Sequence, residues 1–75
     1  MIKWKLVELM QRYEISGRAL AERLEISQNA MSSLRNAKAM PMIGSDRLSR
    51  IIIELRSISG QQIELNEIIE FEEDD

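Results

Sequence analysis

Two serines eleven residues apart, Ser16 and Ser27, constrain this chain more than any other feature in it. Each suits a helix N-cap, where a short hydroxyl accepts a hydrogen bond from the unpaired amides of the first turn. Each also sits within a hydrophobic staple: Ile15 and Leu20 flank Ser16 at the required positions, and Ile26 and Met31 repeat the pattern around Ser27. Capped starts at this separation leave room for a short helix and a tight turn, which is helix-turn-helix spacing. The helix opening at Ser16 is expected to reach about Leu24 and to bury Leu20, Ala21 and Leu24. Ala21 is small where the two helices must cross closely.

The helix opening at Ser27 is divided by its 3.6-residue period. Ala30, Met31 and Leu34 fall on one side; Gln28, Asn29, Ser32, Ser33 and Asn36 fall on the other. The plain reading of the second side is a solvated surface. Such surfaces are usually rich in Glu and Lys, however, and this one has neither. Amides can pair with base edges in the major groove of DNA, and short hydroxyls let them approach. The N-terminal end of a recognition helix is also where the bases are met. Gln28, Asn29, Ser32 and Ser33 are therefore the candidate base contacts, and Lys38 is placed to touch phosphate, which fixes register without reading sequence.

Around this centre, Ile2, Trp4 and Leu6 alternate as a short strand, and Leu6, Leu9, Met10 and Tyr13 then share one face of a helix over about 5–13. Residues 37–44 break the pattern with Pro41 and Gly44, and Met40, Met42 and Ile43 are expected to tuck beneath the domain. A fourth helix, capped near Ser45, carries Leu48, Ile51, Ile52 and Leu55 as its buried stripe and ends at Ser59-Gly60. Ile53 points away from that stripe, either as a partner surface or covered by the C-terminal segment. Beyond it, Ile63, Leu65, Ile68, Ile69 and Phe71 are too apolar for disorder, whereas Glu72–Asp75 should be loose. Leu65–Ile69 reads as a short fifth helix. Ile69–Glu72 also alternates and could pair with Ile2–Lys5, within one chain or exchanged between two, setting Lys3 and Lys5 against Glu70 and Glu72.

At 75 residues the chain makes one domain, with 60 residues of body and an acidic segment at 61–75. The net charge of −3 conceals an asymmetry. Residues 1–60 carry ten bases against six acids, a balance of +4, and residues 61–75 carry seven acids and no base. The acidic end either solubilises the protein or interacts with the basic body. There is no cysteine and no histidine, so disulfides and the usual zinc ligands are excluded, and no cofactor is implied. The carboxylates of the tail are not organised around a nucleophile, a phosphate loop or a metal, so catalysis is not expected. Neither a membrane span nor a signal-peptide core is present in the sequence, and a cytoplasmic protein is the expectation.

Residues 1–58 resemble the small Cro/CI-type (Xre-like) helix-turn-helix regulators. The likeness lies in Leu20-Ala21-x4-Ile26-Ser27-x3-Met31-Ser32-x-Leu34-x-Asn36, joined by the opening Met1-Ile2-Lys3-Trp4-Lys5-Leu6 with Leu9-Met10. The resemblance implies an all-α, lambda-repressor-like compact bundle of four to five helices, with a short β ribbon from the two ends as an addition. It implies a homodimeric DNA-binding transcription regulator, such as a repressor, whose helix from Ser27 lies in the major groove. Gln28, Asn29, Ser32 and Ser33 would face bases; Ser16, Gly17, Arg18, Ser27, Arg35, Asn36 and Lys38 would face the DNA backbone. The chain departs from the family at four of its positions. Glu25 occupies a turn site where glycine is common, and must accept a left-handed conformation or reshape the turn. Gly17 replaces a frequent phosphate-gripping glutamine, Arg35 replaces a frequent glutamate and could meet phosphate or Glu14, and Ala37 replaces a glycine. The alternative reading is a protein-interaction adaptor or antitoxin-like partner on the same fold, engaged through Ile53 or the acidic segment.

Overall fold

The computed structural model describes residues 1–73. In chain order it contains β1 (Ile2–Trp4), α1 (Leu6–Arg12), α2 (Gly17–Leu24), α3 (Gln28–Asn36), α4 (Ser45–Ser59), a 3₁₀ turn (Leu65–Glu67) and β2 (Ile69–Phe71). The architecture is small, compact and mostly helical, with four α-helices and a two-stranded antiparallel sheet among the described residues.

Both serine caps form. Ser16 Oγ accepts from the Ala19 amide and Ser27 Oγ from the Ala30 amide, each at 3.1 Å. The helix preceding each serine closes in the same way. Glu14 has φ 55° and Glu25 has φ 59°, both left-handed. At the first turn the Ile15 amide reaches Met10 O at 2.8 Å and the Glu14 amide reaches Gln11 O at 3.3 Å. At the second, Ile26 reaches Ala21 O at 3.0 Å and Glu25 reaches Glu22 O at 3.3 Å. These paired bonds satisfy carbonyls that a helix end leaves open, in the Schellman pattern. Both turns are the tripeptide Glu-Ile-Ser, repeated at 14–16 and 25–27. The chain thus uses one turn design twice, with Glu25 taking the left-handed conformation rather than reshaping the turn. Ala37 needs no glycine-like freedom, because its backbone is extended (φ −62°, ψ 137°).

The core draws on β1, all four helices and the C-terminal segment. Leu6, Leu20, Ile51, Leu55, Ile63 and Ile68 are all 0 % exposed. α2 packs against both α3 and α4, and α1 packs against α3. Ile63 and Ile68 carry the acidic segment into this core, while Leu65 and Phe71 remain exposed. Arg56 fastens the same segment to α4, donating from Nε to Ile63 O at 2.8 Å and facing Glu64 at 3.7 Å. The expected fifth helix is only the 3₁₀ turn, because Glu64 and Glu67 cap it reciprocally and Ile69 already belongs to β2.

The ribbon forms within one chain, with Ile2 opposite Phe71, Lys3 opposite Glu70 and Trp4 opposite Ile69. The ion pairs are diagonal: Lys3–Glu72 at 3.4 Å and Lys5–Glu70 at 3.3 Å. Glu72 is not loose, since its amide donates to Met1 O at 2.8 Å and its side chain meets Lys3. Asp74 and Asp75, expected to be loose with it, lie outside the described residues. The other edge of β1 is also used. Trp4 N donates to Lys38 O at 2.9 Å, Met40 N donates to Ile2 O at 3.2 Å, and Lys3 bridges Ala39. β1 is therefore the middle strand between β2 and residues 38–40.

Three local expectations are corrected. Met42 does not tuck under the domain but is fully exposed, since residues 41–44 turn it outward while Met40 and Ile43 are half-buried. α4 is preceded by Gly44 as its N-cap, without a side-chain cap, and Ser45 is its first residue. Ala30 is exposed rather than packed, so Met31 and Leu34 alone seat α3 on the core.

Candidate nucleic-acid interface

α3 is anchored on one side by Met31, which is 1 % exposed, and by half-buried Leu34. Its C-terminal turn is held by Trp4, whose indole N–H donates to Leu34 O at 2.7 Å. That carbonyl belongs to the last turn of the helix, where intrahelical partners run out. The anchoring leaves Gln28, Asn29, Ala30, Ser32, Ser33 and Asn36 exposed, with the Asn36 amide donating to Ser32 Oγ at 3.3 Å. The four base-contact candidates therefore share one open helical surface that carries no acidic side chain. Ala30, assigned to the core by the helical period, belongs to it as well.

The backbone-contact candidates separate into groups. Ser16, Arg35 and Asn36 meet around a cleft of about 500 Å³ that Gln11 and Glu14 also line. Gly17 borders Arg35 closely: a Cβ on Gly17 would stand 2.8 Å from Arg35 Nη1. The absent side chain thus makes room for the guanidinium across the first turn of α2. Arg35 is half-buried, its Nε is buried without a hydrogen-bond partner, and it forms no ion pair with Glu14. Its guanidinium rests beside Gly17, at the cleft that Ser16 and Asn36 also line. Arg18 faces Glu22 at 3.5 Å, on the exposed surface of α2. The Ser16 and Ser27 oxygens are occupied as caps. Lys38 is exposed without an ion-pair partner among the described residues, and its carbonyl is bound by β1.

Arg47 was not singled out from the sequence. It is exposed, unpaired among the described residues, and borders an apolar groove of about 300 Å³ beside α3. Its signal was weak: one arginine in the first turn of a helix, distant in sequence from Ser27. Other bases are already engaged, Arg50 with Glu25 at 3.9 Å and with Arg23 O at 2.9 Å, and Arg23 with Ser57 at 3.1 Å.

Away from this surface, Tyr13 donates to Glu67 Oε1 at 2.6 Å, and Arg12 stands 3.5 Å from the same oxygen. The Tyr13 hydrogen bond, the Glu64 amide and Arg12 hold the Glu67 carboxyl below its ordinary value. Donating to that carboxylate raises the phenol of Tyr13 in turn. This cluster ties the C-terminal segment to α1. No helix among the described residues is long and apolar enough to cross a membrane.

Compared with family models, curated proteins and solved structures, the chain matches none of them.

Proposed function

We propose that this protein is a sequence-specific double-stranded DNA-binding regulator of transcription. In this reading α2 and α3 form the helix-turn-helix of a lambda-repressor-like bundle, and α3 enters the major groove. The observation that carries it is the surface of α3: exposed amides and hydroxyls, no carboxylate, on a helix fixed at one end by a serine cap and at the other by Trp4. Gln28, Asn29, Ser32 and Ser33 read base edges, and Arg18, Lys38 and Asn36 approach phosphates. A homodimer would set two such helices about 34–36 Å apart, one turn of the duplex.

The test is fluorescence anisotropy with the DNA upstream of the protein's own gene and a scrambled control, titrated with salt. Saturable preference for the upstream DNA is expected. The logarithm of the binding constant should fall linearly with that of salt, with a slope near −0.9 per neutralised phosphate. Absence of binding to either duplex at low salt overturns the reading. It would favour the adaptor alternative, which draws on Ile53, 60 % exposed on α4, and on the pairing of Arg18 and Arg50 with Glu22 and Glu25.

A further inference from the structure

We infer that α3 is built to read A·T base pairs, with its carboxamides pairing with adenine and the exposed Ala30, next to Asn29, meeting a thymine methyl; this rests on the DNA-binding reading above. Each base pair shows a distinct pattern in the major groove. Guanine offers two acceptors, met best by Arg or Lys, and cytosine offers a donor, met by Asp or Glu. Adenine offers an adjacent acceptor and donor, which a carboxamide matches with both of its atoms, and thymine adds an apolar methyl.

The surface of α3 supplies only the second half of this code. It holds Gln28, Asn29 and Asn36 but no lysine, aspartate or glutamate. Its single arginine, Arg35, stands in the last turn of α3 beside Gly17 of α2, away from the N-terminal end at which bases are met. Ala30 is the decisive residue. Its methyl is exposed and packs in no part of the buried core. It stands in the first turn of α3, next to Asn29 and one turn before Ser33. It also lines the apolar groove shared with Ile26, Leu34, Pro41 and Ile43, with Arg47 at its margin. A small apolar contact next to one carboxamide, that of Asn29, is the complement of a thymine beside an adenine.

Selection of bound sequences from a pool of random duplexes by the full chain tests this directly. The enriched site should carry A·T pairs at its most discriminating positions, each exchange to G·C weakening binding roughly 5- to 150-fold. Replacing thymine by deoxyuridine at the methyl-contact position should weaken binding about fourfold, the worth of one buried methyl. Ala30→Gly should bind the thymine and uracil duplexes equally. Because that ratio is taken within one variant, loss of α3 stability cancels from it. Asn29→Arg should move one selected position toward guanine. A G·C-rich selected site, or equal affinity of the unmodified protein for every thymine and uracil duplex, would overturn this inference and leave DNA binding intact. Enrichment of no sequence, with no salt-dependent binding, would overturn the DNA-binding reading and this one with it.

Discussion

Replacing Trp4 by phenylalanine isolates the link between β1 and α3. Trp4 is 4 % exposed, and its indole N–H is bound to Leu34 O at 2.7 Å. Phenylalanine keeps an aromatic ring in the core but removes the donor and part of the ring. The lost hydrogen bond and the poorly satisfied carbonyl together cost about 1–2 kcal/mol, and the unfilled volume adds about 1 kcal/mol. The expected loss is therefore about 2–3 kcal/mol, against a total of roughly 4–11 kcal/mol for a chain of this size. For a domain this small each kcal/mol moves Tm by about 4–8 °C, so a fall of roughly 10–20 °C is expected by far-ultraviolet circular dichroism. Amide exchange should accelerate most in the last turn of α3. A loss below about 0.5 kcal/mol, or an exchange increase spread evenly over the protein, would refute the role given to this contact.

Three further outcomes follow from the same contacts. Glu14→Gly and Glu25→Gly should each raise stability by about 0.5–1 kcal/mol, because relief of the left-handed conformation outweighs the added freedom of the unfolded chain; two-sided destabilisation in urea melts would contradict the turn assignment. Gly17→Ala should fold normally, since the atom it crowds is the mobile end of Arg35, and it should change the salt slope of DNA binding by displacing that guanidinium; a slope and an affinity identical to those of the unmodified protein would count against Arg35 lying at the interface. Glu67 has a lowered pKa, so its contribution is present above the ordinary carboxylate range and is lost as pH falls through the folded value. Tyr13 has a raised pKa, so its contribution is present below the ordinary 10.0 and is lost as pH rises through the folded value. Tyr13→Phe should flatten both limbs of the dependence of Tm on pH, and unchanged limbs would show that the cluster does not bear on stability.

What could be read from the sequence was local. Ser16 and Ser27 announce their helices because a cap is made of neighbouring residues, and the Lys3, Lys5, Glu70 and Glu72 alternation announces the ribbon because register and charge repeat together. The polar surface of α3 was legible for the same reason. Ala30 was misplaced because helical periodicity gives a direction but not the width of the surface a neighbour covers. Met42 was misplaced because a turn of uncertain backbone can aim an apolar side chain anywhere. The seat of Arg35 beside Gly17, eighteen residues earlier, could not be read, because no local pattern couples them. Glu25 was flagged only by the resemblance, and the left-handed Glu14 was missed although it opens the same Glu-Ile-Ser tripeptide eleven residues earlier.

The central position of β1 has a consequence for the order in which the molecule can be made. Lys3 is made before Ala39, and Glu70 comes sixty-seven positions after Lys3. At roughly 5–20 residues per second, that strand waits about 3 to 13 seconds for its second neighbour. During that time Trp4 can find the end of α3, but the ribbon cannot close. A product cut short before Ile63 would lack two core side chains as well as β2, and would present an unpaired strand edge to the quality-control machinery of the cell. β1 and the segment from Ile63 onward are thus one folding unit, and neither can reach its native contacts without the other.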